Sequence, residues 1–119
     1  MKRHTILVVD DDPHFRELYH AALRLRGFNV TTASDGLAAL ESIAQEPPSL
    51  VVLDLNMPCV DGWDVLHELN SNEATRAIPV IVVTGADVTR ATLEAVAILR
   101  KPVFPEQVVP LIERHLRAA

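Results

Sequence analysis

Five side chains in this sequence could do chemistry together: Asp10, Asp11, Asp54, Thr84 and Lys101, each standing at the end of an apolar run. Asp54 is the clearest. In VVLDLNMPCVDG, residues 51 to 62, an aliphatic run stops at Asp54 and polar, turn-forming residues follow, with Pro58 and Gly62 marking a loop. A buried strand that delivers one carboxylate to the C-terminal edge of an open α/β sheet reads this way, and ligands in such sheets bind at that edge. Taken alone, Asp54 could equally form a turn or start a helix. Its company changes the reading.

Three neighbouring carboxylates repel one another unless a cation offsets them. Carboxylates and backbone carbonyls are the hard oxygen ligands that Mg²⁺ accepts while keeping several waters, and Mn²⁺ is a substitute. An aspartate is already ionised near neutral pH and can attack phosphorus without a general base. A lysine and a hydroxyl would then hold the remaining phosphoryl oxygens as charge develops. No GxxxxGK[ST] loop is present, so nucleotide binding has no motif behind it.

Those strand ends need elements to position them. Thr5 to Val9 reads as a strand ending in Asp10, Asp11 and Asp12, and Asp12-Pro13 starts a helix with Phe15, Leu18, Tyr19, Ala22 and Leu23 at helical spacing, closed by Gly27. Phe28, Val30 and Thr32 alternate as a short strand. Ser34 or Asp35 can cap a second helix with Leu37, Leu40 and Ile43 inward, closed by Glu46-Pro47-Pro48. After the Leu50 to Leu53 strand come a helix from about Gly62 to Leu69, a strand from Ile78 to Val83 and a short helix from about Thr89 to Ala95. A strand from Val96 to Leu99 and a last helix from Pro105 to Arg117 finish the chain. Alternating strands and helices, with strands apolar throughout, predict a (βα)5 domain with a parallel, doubly wound five-stranded sheet. Right-handed crossovers in the order 2-1-3-4-5 bring the ends of strands one, three, four and five together.

The chain of 119 residues has the size of one domain, expected over residues 1–119, and its 49% apolar residues with 23% charged make it globular. A net charge of −5 disfavours non-specific nucleic-acid binding. The single cysteine, Cys59, excludes an internal disulfide and makes the cytoplasm the expected compartment. The apolar run after Met1-Lys2-Arg3-His4 is too short for a signal peptide or a membrane span.

The blocks ILVVDDDP, VVLDLNMPCVDG, VVTG and LRKPV resemble, in order and over essentially the whole chain, those of response-regulator receiver domains, the phosphoacceptor partners of sensor histidine kinases. The resemblance implies a flavodoxin-like fold and a phosphoacceptor at Asp54. It further implies Asp11 as a direct Mg²⁺ ligand, Asp10 acting mainly through water, and Asn56 contributing its backbone carbonyl. Thr84 would bind a phosphoryl oxygen and report phosphorylation, and Lys101 would pair with the phosphate before a cis bond to Pro102. Asp12 takes a capping role, while Pro58 and Gly62 shape the loop. The donor would be a sensor histidine kinase or a histidine phosphotransfer protein.

Relative to that family, the stretch from Thr84 to Lys101 is short by roughly a helical turn, which implies a shortened fourth helix. Ile98 stands where many receivers carry a switching aromatic, and Val103 replaces the common phenylalanine after Lys-Pro. An aliphatic Ile98 cannot make the same rotamer report, so the face built from the fourth helix, fifth strand and last helix points to an unusual partner, an unusual homodimer or a weakened response. The alternative function is a phosphorylation-independent interaction module using that face. The five histidines are dispersed, so the chain is expected to receive phosphate rather than donate it.

Overall fold

A strand whose residues are all apolar must be covered on both faces, and that requirement sets the architecture. The computed structural model describes residues 3–57, 60–85 and 95–117. In chain order the elements are β1 (Thr5–Val9), α1 (Pro13–Leu25), β2 (Asn29–Ala33), α2 (Gly36–Gln45), β3 (Leu50–Leu53), α3 (Gly62–Ser71), β4 (Val80–Thr84), β5 (Ala97–Arg100) and α4 (Pro105–Arg117). All strand pairings are parallel and the order is β2-β1-β3-β4-β5. This is the (βα)5, flavodoxin-like arrangement. The segment expected as a short helix lies, apart from Ala95, outside the described residues, as do Pro58 and Cys59.

Successive residues of each central strand serve opposite cores. Leu7, Val9, Val51, Leu53, Val80 and Val82 face the side covered by α2 and α3. Ile6, Val8, Leu50, Val52, Ile81 and Val83 face the side covered by α1 and α4. Every residue of β3 and β4 is buried, so the strand ends at the sheet's centre are held by packing on both faces.

Several helical details follow from local chemistry. Asp12 caps α1 by accepting the His14 N–H, Asp35 caps α2 through Ala38 and Asp61 caps α3 through Asp64. Gly27 ends α1 with φ +91°, a left-handed conformation that favours glycine. Of the expected inward residues of α2, Ile43 is buried and Leu40 packs half-buried against the same core, but Leu37 is exposed and the small Gly36 and Ala39 are buried in its place. A close approach explains the phase: the Gly36 N–H bonds the Val60 carbonyl, which leaves no room for a side chain at Gly36. Helix α3 runs two residues past Leu69 to Ser71, where the Asn70 and Ser71 side chains bond back to the carbonyls of Leu66 and His67. In edge strand β2, Thr32 is exposed and Ala33 is the buried residue. Edge strand β5 extends one residue beyond Leu99 to Arg100, and Val96 lies outside it.

Candidate functional site

The ends of β1, β3, β4 and β5 converge on one pocket of polar groups. Asp10 continues β1 by donating its backbone N–H to Ala33, and its side chain is fully buried. Its Oδ1 accepts the Asp12 N–H at 2.9 Å and its Oδ2 accepts the Lys101 ammonium at 2.6 Å. Asp54 continues β3, its N–H bonded to the Val9 carbonyl, and is also buried. Thr84 Oγ1 donates to Asp54 Oδ1 at 2.7 Å and the Asn56 N–H donates to the same oxygen at 3.2 Å. Asp54 Oδ2 faces the Lys101 ammonium at 3.5 Å. Lys101 is held to β4 by its N–H on the Thr84 carbonyl, and the Lys101–Pro102 bond is cis.

Burial pushes the Asp10 carboxyl above the usual carboxylate range, and the Lys101 and Asp12 hydrogen bonds only partly offset this. Burial also acts to lower the Lys101 ammonium, but the hydrogen bond and charge of Asp10, with Asp54 behind it, hold it above the usual lysine value. Asp10, Asp11 and Asp54 each offer a carboxylate oxygen, and these oxygens lie within 4.8 Å of one another. Three carboxylates against one ammonium leave an excess of negative charge. The donor set is all hard oxygen, with Asp11 exposed to solvent, so the cluster can chelate a divalent cation that keeps some of its waters.

Asp10, Asp11, Asp54, Thr84 and Lys101 are therefore brought together as expected, with Asn56 beside them through its backbone. Asp12 instead turns toward α1. Gly62 lies under the loop: its N–H bonds the Leu55 carbonyl, and a Cβ there would run into the backbone of Asp54 and Leu55. Its use is the missing side chain, since its φ is not positive. Ile98 is half-buried on β5 opposite Val82, on the sheet face shared with α2 and α3. Three contacts were not expected from sequence. Arg16 Nη1 donates to the Asp10 carbonyl at 2.8 Å, the Phe15 ring lies beneath the Lys101 ammonium, and the Tyr19 hydroxyl bonds the Val103 carbonyl. The i, i+4 spacing of Phe15 and Tyr19 was the available signal.

The profile of the response regulator receiver domain family matches residues 6–113. The chain belongs to this family. It is 38% identical over 117 residues to the response regulator MprA of Mycobacterium leprae, covering 94% of this chain and 50% of that protein. The chain spans about half the length of the curated relatives it matches first. Among solved structures, the signal receiver domain of a histidine kinase from Syntrophus aciditrophicus superposes with TM-score 0.88 at 25% identity, covering 98% of this chain and 92% of that one. A sensor protein from Polaromonas sp. JS666 superposes with TM-score 0.86 at 27% identity, with 98% of both chains covered. This receiver domain thus carries the family's fold and an acidic cluster that can hold a metal. No helix among the described residues is long and apolar enough to cross a membrane.

Proposed function

We propose that this receiver is a Mg²⁺-dependent phosphoacceptor switch in which Asp54 takes a phosphoryl group from a phosphohistidine. The donor would be a sensor histidine kinase or a histidine phosphotransfer protein, and the phosphorylated chain would change its contacts with a downstream protein. The observation that carries this reading is the setting of Asp54. It is a buried carboxylate with one oxygen held by Thr84 and Asn56 and the other facing an ammonium, inside a cluster that can chelate a cation.

An Asp54 oxygen attacks phosphorus as the N–P bond of the phosphohistidine breaks, and the electron pair returns to the imidazole nitrogen. Thr84 and Lys101 hold phosphoryl oxygens, and Lys101 remains an ammonium throughout. Mg²⁺, held by Asp10, Asp11, Asp54 and the backbone carbonyl of Asn56, would supply charge neutralisation when bound. Thr84 would report the change toward the neighbouring switch position, where Ile98, being aliphatic, would weaken the usual rotamer response. Residues 1–119 act as one receiver domain in the cytoplasm.

The test uses a small acyl phosphate and Mg²⁺. The expected product is an acid-stable, base-labile phosphoryl adduct on the wild-type chain, absent from Asp54→Asn. No adduct under conditions that label another receiver would overturn the reading. A second reading, binding without phosphorylation, draws on the aliphatic Ile98 and the exposed Val96 at the β5 edge. Equal partner affinity with and without a phosphoryl mimic would favour it.

A further inference from the structure

Lysine is a point charge on a flexible four-carbon stem, so an accurately placed lysine needs something to hold it. Lys101 is 27% exposed and borders an open hollow of about 540 Å³ lined by Asp12, His14, Phe15, Leu18 and Phe104 among others. Its ammonium nevertheless sits inward, on Asp10 and toward Asp54. The Phe15 ring lies beneath it, with the nitrogen 4.6 Å from the ring centroid. That ring is stacked on Tyr19 with centroids 4.1 Å apart and planes at 17°. Tyr19 is fully buried, and its hydroxyl donates a 2.7 Å bond to the carbonyl of Val103, two residues beyond Lys101. Helix α1 therefore touches the segment from Lys101 to Val103 at two points, one under the charge and one on the backbone.

We propose that Phe15 is a positioning residue for phosphoryl transfer: its ring, braced by Tyr19, keeps the Lys101 ammonium at the Asp10–Asp54 pair and lets it pivot onto the incoming phosphoryl oxygens. The role rests on the phosphoacceptor reading of Asp54. A cation attracted to a ring face needs no single donor direction, unlike a hydrogen bond. The ammonium can thus exchange Asp10 for a phosphoryl oxygen without leaving the ring. With an acyl phosphate donor, the Asp54 O–P bond forms as the donor's O–P bond breaks. The electron pair leaves with the donor's carboxylate and Lys101 gives up no proton.

The experiment compares wild type, Phe15→Leu, Phe15→Tyr, Lys101→Met and the Phe15→Leu/Lys101→Met double variant. One readout is the initial rate of phosphorylation by acetyl phosphate at saturating Mg²⁺. The other is the NMR shift of the Lys101 Cε protons, which a ring beneath them moves upfield. Phe15→Leu is expected to slow phosphorylation about two- to fivefold, with Phe15→Tyr restoring the rate. The slowing is expected to vanish when Lys101 is already methionine, because a positioning effect needs its target. The upfield signal should be lost in Phe15→Leu and return in Phe15→Tyr. Equal slowing in both backgrounds overturns the role of Phe15, and so does an unshifted Lys101 signal in wild type, which needs no variant to fold. A wild-type chain that takes no phosphoryl group overturns the phosphoacceptor reading and this role with it, whereas a labelled chain with additive slowing overturns the role alone.

Discussion

Thr84 Oγ1 donates a 2.7 Å hydrogen bond to Asp54 Oδ1, joining the ends of β4 and β3 inside the protein. Both residues are buried, so water cannot replace the bond if the hydroxyl is removed. Thr84→Val keeps the shape and deletes the donor, leaving Asp54 Oδ1 only the longer bond from the Asn56 N–H. The expected loss is that of a hydrogen bond to a carboxylate, about 1.5–3 kcal/mol. Thr84→Ser keeps the donor and gives up only a methyl, about 1 kcal/mol. Urea unfolding measures both, and a valine variant as stable as the serine variant would contradict the bond's importance.

Lys101 makes the opposite kind of contribution, since it occupies the carboxylates that a cation would use. Its ammonium is 2.6 Å from the fully buried Asp10 Oδ2. Lys101→Met leaves that carboxylate without its ion pair, and in metal-free buffer the melting temperature should fall by several degrees, on the order of 1–3 kcal/mol. The same substitution removes a competitor for the cluster. Mg²⁺ should therefore stabilise Lys101→Met more than it stabilises wild type, while the phosphorylation rate drops at least about tenfold for want of the charge. Melting curves across a Mg²⁺ series separate the two effects. Equal Mg²⁺ stabilisation of both proteins would show that Lys101 does not compete at the site.

The loop after Asp54 is held by a close backbone approach. A Cβ on Gly62 would meet the carbonyl of Asp54 and the Cα of Leu55, which belong to the site itself. Gly62→Ala is expected to cost about 2 kcal/mol or more, because backbone must move to admit it. Among the described residues, a Cβ on Gly85, just past Thr84, meets nothing within 4 Å. Gly85→Ala should change stability by no more than about 0.5 kcal/mol. Chemical denaturation of the pair tests the contrast between a crowded glycine and a free one.

How far the sequence reaches can be judged from these same residues. β1, β3 and β4 are runs of buried aliphatics that stop at a polar residue, so the sheet and the placing of Asp10, Asp54 and Thr84 at its edge are readable in the sequence, while Lys101 follows the half-exposed edge strand β5. In helix α2, periodicity places Leu40 and Ile43 on the core side as found but also Leu37, which is exposed, because large apolar residues outweigh small ones in the pattern. The small Gly36 and Ala39 take the inward place through a contact of Gly36 with Val60, more than twenty residues away. Phe15 and Tyr19 read as core on spacing alone. What they do depends on Lys101 and Val103, more than eighty residues further on, and no local pattern encodes that meeting.

Tyr19 gives the last prediction, and it has an unusually clean probe because the sequence contains one tyrosine. Burial, then the charges of Glu106 and Asp10, push its hydroxyl well above the ordinary value of 10.0. The native state therefore keeps this proton more tightly than the unfolded chain does. Below about pH 10 both states are protonated and the contribution to stability is fully present. As pH rises past that value the unfolded state binds fewer protons than the native state, so stability falls with pH until the folded group also ionises. Tyrosinate absorbance should accordingly be missing from the native protein at about pH 10 and appear together with the loss of circular dichroism at higher pH. Tyr19→Phe should remove the tyrosine part of this dependence, leaving the fall due to Lys101, whose ammonium is also held above its usual value, and it should cost about 0.5–1.5 kcal/mol at neutral pH through the lost bond to Val103. Smooth ionisation of the folded protein near the ordinary value would mean that the hydroxyl is reached by water and does not hold Val103 as the structure shows.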